Sequence, residues 1–234
     1  MKRISQIQIA VVAGSLGLAL LFVLAPGVDL WFSGLFFREN AGFYLRDAVW
    51  VGVLYDMVHP LAAVLVVVLL LVLVHNLLRR RALGPFNVRG VLFMLAVLAV
   101  GPGLTVNVVF KDHWGRARPR DVEEFGGTRT FTPAFVISDQ CERNCSFVSG
   151  HASLPFALAG LGYLLRRRRW AVYAGAAAFG GAVGLGRIIQ GAHFLSDVVF
   201  SGVFVLLVAY LLAHFAFRLP FVGAAATVER EDVN

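Results

Sequence analysis

The sequence predicts an all-α integral membrane protein: one domain over residues 1–234, folded as a six-helix bundle with its functional residues at the outer membrane face. Three observations predict it: the composition, a series of six apolar runs, and the way Lys and Arg alternate between the segments joining them. The chain is 59% hydrophobic and 15% charged, with a mean hydropathy of +0.76. A soluble domain carries about 25% charged residues. A run of about 20 apolar residues crosses ~30 Å of hydrocarbon as a helix. Lipid offers the backbone no hydrogen bonds, so such runs are helical even where they contain Gly or Pro.

The runs follow one another at about 8–25, 59–78, 89–110, 151–165, 170–187 and 197–217. The first follows Met1-Lys2-Arg3 and ends at Val23-Leu24-Ala25, which has a weak likeness to a signal-peptide cleavage site. Pro26 stands directly after the cut and is normally refused there, so a retained helix is expected. The fourth run is the shortest and begins inside a polar block. A polar tail at 227–234 closes the sequence and is expected to be disordered.

Lys2 and Arg3, Arg79-Arg80-Arg81 with Arg89, Arg166 to Arg169, and Arg218 all fall on one side when six spans alternate. Short loops rich in Lys and Arg face the cytoplasm, so both termini are expected there. Segments 26–58, 111–150 and 188–196 then face outward and hold most of the acidic residues. The net charge of +7 is mostly these loop anchors. It reads as topology plus a site for anions, and nothing resembles a nucleic-acid-binding module. Cys141 and Cys145 lie in the long outer segment, where an oxidising compartment permits a bridge. So short a loop leaves free thiols equally open.

Three polar blocks end up on the outer side together. In Lys111-Asp-His-Trp-Gly-Arg-Ala-Arg118-Pro119, Lys111 and Arg118 are seven residues apart. They share a helix face if the third helix continues that far. A phosphate ester resists attack until its oxygens are neutralised by fixed donors; these two cations and Arg187 fit that task, Arg through a planar fork and Lys as a point charge. Each alone is an ordinary interface anchor. Arg116 and Arg120 bind a lipid headgroup or, more simply, pair with Asp121, Glu123 and Glu124. His113 reads as a local hydrogen-bonding residue.

In the second block, Ser149 is placed to cap the fourth helix, whose free N–H groups attract anions. Gly150 allows close approach of phosphate. His151 at the mouth has the chemistry of a general acid. In the third block His193 and Asp197 are four apart, so on a helix the carboxylate receives the ring N–H and frees the other nitrogen to attack phosphorus. The simpler alternative is a helix-capping pair, although an ionisable residue at a membrane span is functional by default.

The three blocks resemble the signature of the type 2 phosphatidic acid phosphatase superfamily: Lys, six residues, Arg-Pro; Pro-Ser-Gly-His; Ser-Arg, five residues, His, three residues, Asp. The matches are Lys111, Arg118 and Pro119; Ser149, Gly150 and His151; Arg187, His193 and Asp197. Val148 stands where the family usually has Pro and Gly186 where it usually has Ser, which touches substrate preference more than chemistry. The resemblance implies a phosphohistidine on His193 oriented by Asp197, with His151 as acid and then base. Lys111, Arg118, Ser149, Gly150 and Arg187 hold the phosphate, and neither metal nor cofactor is required.

The implied substrate is a membrane lipid phosphate. The stretches Cys141–His151 and Gly115–Arg120 look most similar to bacterial phosphatases acting on lipid A at the outer face of the inner membrane. Undecaprenyl pyrophosphate, phosphatidylglycerol phosphate and phosphatidic acid phosphatases share the same blocks. Segment 29–47, rich in Trp31, Phe32, Phe36, Phe37, Phe43 and Tyr44, is expected either to guide acyl chains or to act as an anchored connector. An anion transporter is the reading from another class, but it places such residues near the midplane rather than at one face. A non-catalytic anion binder leaves the spacing of His193 and Asp197 idle, and the vanadium haloperoxidase relatives are soluble.

Overall fold

The computed structural model describes residues 6–219, with side chains from residue 13 onward. The tail at 227–234 and the basic Lys2 and Arg3 lie outside the described residues. Helix α1 (Gln6–Leu24) is followed by α2 (Gly27–Gly34), and the two are bent by 83°. Pro26 at the break has φ −62° and no N–H to donate, which suits a helix start and ends the one before it. A small antiparallel hairpin, β1 (Phe37–Arg38) and β2 (Gly42–Phe43), pairs Phe37 with Phe43.

Helices α3 (Val49–Asp56) and α4 (Val58–Arg79) run nearly continuously. Helix α5 (Val88–Leu98) starts at Asn87, whose side chain accepts the Gly90 N–H at 2.9 Å. It continues as wide π-helical turns over Ala99–Phe110 and ends in α6 (Lys111–His113). The wide turns contain Pro102, which cannot donate to the ladder. Asn107 turns its side-chain amide back onto the Pro102 carbonyl at 2.8 Å. The last four α-helices are α7 (Gly150–Ala157), α8 (Leu161–Leu164) after one 3-10 turn, α9 (Arg169–Ile189) and α10 (Leu195–Leu211), which continues in wide π-helical turns over Leu212–Ala216.

Among the described residues, four helical stretches are long and apolar enough to cross a membrane: Val49–Arg79, Val88–His113, Arg166–Ile189 and Leu195–Ala216. The bent α1–α2 pair makes a fifth if it counts as one span. The run expected at 151–165 is present as α7 and α8, interrupted by the 3-10 turn and too short to join that set.

α7 packs against both α9 and α10. Small residues permit that approach: an added Cβ at Gly180 would lie 2.5 Å from the Phe156 ring, and one at Gly184 2.2 Å from Val198. The main core gathers Phe93, Met94, Val97, Phe147, Phe200 and Val205. A second cluster, Phe43, Ala117, Val122, Phe125 and Phe194 with Phe36, Phe37 and Phe131 around it, builds a small aromatic core among the polar segments. The rings of Phe37, Phe43 and Phe125 lie 5.2–5.5 Å apart. Much of segment 29–47 is therefore packing, while Trp31 and Tyr44 stay exposed.

Candidate active site

The three blocks converge. α6 ends at Trp114, and Gly115 then takes φ +69°, the left-handed turn that stops a helix. A Cβ there would sit 1.6 Å from the Ser138 carbonyl oxygen. Arg118 follows in extended backbone. The expected shared helix face of Lys111 and Arg118 is therefore wrong, because the helix stops between them; a loop unites them instead. Lys111 Nζ donates to Asn144 Oδ1 at 2.7 Å and Arg118 Nη2 to the Asn144 carbonyl at 2.6 Å. Asn144 lies between Cys141 and Cys145, which are disulfide-bonded, and has φ 52°, a conformation asparagine tolerates.

Ser149 occupies the N-cap position of α7 in extended backbone, but its hydroxyl caps nothing; its N–H donates to the Asp197 carbonyl at 3.0 Å. Gly150 presses on the first block, since a Cβ would come within 3.0 Å of Lys111 Cε and 2.9 Å of Asn107 Oδ1. From α9, Arg187 lies over the Tyr55 ring at 4.6 Å and also donates to Gln190. Tyr55 stacks on His151 at 4.3 Å, and His59 meets His151 edge-on at 4.7 Å. Lys111, Arg118 and Arg187 feel one another's positive charge, with Asp197 as partial counterion. Such a cluster favours an anion.

His193 is 1% exposed in the turn between α9 and α10. Burial, more than any neighbour, pushes its imidazole from the usual 6.5 down to about 3, with Asp197 opposing that shift. The ring is thus a free base at neutral pH. Its Nδ1 does not reach Asp197, as the spacing led one to expect; the carboxylate is 3.7 Å away. Instead Nδ1–H donates to the Ser146 carbonyl at 2.7 Å. Asp197 lies in the first turn of α10 and accepts the Phe194 N–H at 2.7 Å, so helix capping and closeness to His193 coexist.

Arg116 departs furthest from expectation. It does not meet Asp121, Glu123 or Glu124; its side chain is fully buried against Asp29 at 2.8 Å and Asp197 at 2.6 Å. Arg120 lies near Asp121 at 3.8 Å, exposed, and His113 bonds locally to the Val108 carbonyl at 3.0 Å. Sequence reasoning missed Asp29, Ser146, Asn144, Tyr55 and His59. Only Asp29 carried a signal, a lone carboxylate among Val28, Leu30, Trp31 and Phe32.

Seven buried side-chain polar atoms lack a hydrogen-bond partner among the described residues, and four belong to these blocks: Ser149 Oγ, His151 Nε2, Arg187 Nε and His193 Nε2. An unmet buried polar atom costs about 1–3 kcal/mol. Four in one site are poised to bind a ligand.

Fold and site together define a membrane-embedded protein with clustered cations beside a buried, neutral histidine whose Nε2 is unpartnered. Residues 90–221 match the PAP2 superfamily model, a stretch that holds all three blocks, and the chain belongs to that superfamily. It is 39% identical over 206 residues to the lipid A 4'-phosphatase of Francisella tularensis subsp. novicida (strain U112), covering 84% of this chain and 90% of that one. The lipid A 4'-phosphatase of Rhizobium leguminosarum is 36% identical, over 74% of this chain and 81% of its own. That of Rhizobium etli is 34% identical, over 74% and 73%. No solved structure gives a significant match.

Proposed function

We propose that this protein removes a phosphate from lipid A, without metal, through a phosphohistidine on His193. The observation that carries the reading is the buried, unpartnered Nε2 of a free-base His193 beside the clustered cations Lys111, Arg118 and Arg187. The lipid A assignment leans on the relatives, which match over most of their length.

In the first step Nε2 bonds to phosphorus and the ester P–O bond breaks. His151, protonated once the negative charge of the bound phosphate lies beside it, gives its proton to the departing lipid oxygen. In the second step His151, now neutral, takes a proton from water as the water oxygen attacks phosphorus; the P–N bond breaks and inorganic phosphate leaves. Lys111, Arg118, Arg187, Ser149 Oγ and the Gly150 N–H hold the phosphoryl oxygens, whose charge peaks in transit.

The protein belongs on this reading to a bacterial inner membrane, with the site toward the periplasm and both termini in the cytoplasm. The arginines at 79–81, 89 and 166–169 support that orientation. It requires the α7–α8 stretch to complete a sixth crossing.

The test is phosphate release by the purified full chain in detergent with excess chelator. Lipid A, undecaprenyl pyrophosphate, phosphatidylglycerol phosphate and phosphatidic acid are offered in parallel. Release is expected from lipid A, falling by roughly 10³-fold or more in His193→Ala and His151→Ala. Full loss in chelator, or activity retained by His193→Ala, overturns the mechanism; release from another lipid alone overturns the substrate.

A further inference from the structure

We propose that Arg116 and Asp29 are positioning residues for the nucleophile. They form a buried ion chain with Asp197 that holds Ser146, and the Ser146 main-chain carbonyl takes the Nδ1 proton of His193. This rests on the phosphohistidine reading above.

Arg116 uses its whole fork. Nε donates to the Thr132 carbonyl at 2.8 Å, Nη1 to Asp197 Oδ1 at 2.6 Å and Ser196 Oγ at 2.9 Å, and Nη2 to Asp29 Oδ2 at 2.8 Å. Its plane lies 4.3 Å from the Phe194 ring, directly beside His193 in the chain. Asp29 ties the far end down, accepting the Ser196 N–H at 2.8 Å and the Ser196 hydroxyl at 2.5 Å. Ser146 is gripped three ways. Its N–H donates to the Arg116 carbonyl at 2.9 Å, its hydroxyl to Asp197 Oδ2 at 2.5 Å, and its carbonyl receives His193 Nδ1–H at 2.7 Å.

Stability does not account for the chain, because burying ions costs several kcal/mol each and well-packed apolar residues often do as well. Its connectivity does account for it. A carbonyl acceptor locks one tautomer, since it can only accept, and leaves Nε2 as the free base aimed at phosphorus. The Asp197 carboxylate stands 3.7 Å from the ring, and its negative charge favours the protonated form. When Nε2 bonds to phosphorus the ring keeps its Nδ1 proton and becomes cationic, and that charge stabilises it. Asp197 thus acts on His193 through field and through Ser146.

The experiment compares Asp29→Asn, Arg116→Lys and Ser146→Ala with wild type in kcat, KM, melting temperature and two inhibitors. Orthovanadate accepts a bond from Nε2, whereas inorganic phosphate needs only the cations. Asp29→Asn preserves shape, Arg116→Lys preserves charge but loses the fork, and Ser146→Ala keeps the carbonyl but cuts its tie to Asp197. The expected result is kcat lower by roughly 10–100-fold, the scale on which losing a partner that orients an active group is felt. Vanadate inhibition weakens in parallel, while KM and phosphate inhibition stay within about twofold. Unchanged kcat overturns the proposal. So does a uniform shift of kcat, KM, both inhibitors and melting temperature, which marks a merely structural pair. If Arg116→Lys does not fold, the other two variants decide. Wild type releasing no phosphate from any lipid is a different failure, that of the reading beneath.

Discussion

His193 and His151 each leave a buried ring nitrogen, Nε2, without a partner among the described residues, yet their surroundings differ. His193 is held by main chain, while His151 is sandwiched by the side chains of Tyr55 and His59. Tyr55 also carries the Arg187 guanidinium on its ring. Stacking and cation–π contacts of this kind contribute about 0.5–2 kcal/mol each. Tyr55→Ala should therefore lower kcat/KM by roughly tenfold, whereas Tyr55→Phe, which keeps the ring, should stay within about twofold; steady-state kinetics on both variants checks it. A buried neutral His193 also has a thermodynamic signature. Its value is about 3 in the fold against 6.5 ordinarily, so between those limits the unfolded chain binds more protons. Its contribution to stability is complete above pH 6.5 and is lost as the pH falls toward 3. Thermal melting in detergent should show a steeper acid decline for wild type than for His193→Gln, and parallel curves would remove that role.

The turn after α6 and the disulfide loop do at the scale of elements what no single residue does: they bring Lys111 and Arg118 together. Lys and Arg lose up to ~2 kcal/mol of rotamer freedom each when ordered. Asn144 orders both before substrate arrives, leaving most of their donors free. Asn144→Ala, or reduction of the Cys141–Cys145 bond, should raise KM by roughly tenfold with a smaller change in kcat. Gly115→Ala should be far more severe, because both φ and the Ser138 carbonyl exclude a side chain. Its expected phenotype is loss of folded protein, read by size-exclusion chromatography of the extracted membrane fraction. The signature of blocks was legible in the residues themselves, because phosphate chemistry restricts residue type and spacing. The loop that joins them was not, because Asn144 and Ser146 act partly through backbone carbonyls that every residue carries and partly through side chains whose partners, Lys111 and Asp197, only the fold brings near.

For the molecule as a whole, apolar length announced the long helices, and four of the expected runs lie within helical stretches long enough to span. The bend at Pro26 and the broken α7–α8 stretch were less legible, since both depend on tertiary neighbours. Arg116 was misread for a similar reason: nearby acids in sequence were the obvious partners, whereas Asp29 reaches it only through the fold. The site residues stand at helix ends: Lys111 closes one long helix, Arg187 nears the end of another, and His193 precedes the next. For a substrate anchored in the same bilayer, encounters then occur in two dimensions. Turnover should follow the mole fraction of lipid in the surface and fall when neutral detergent or phospholipid dilutes it, even at constant molarity in the tube.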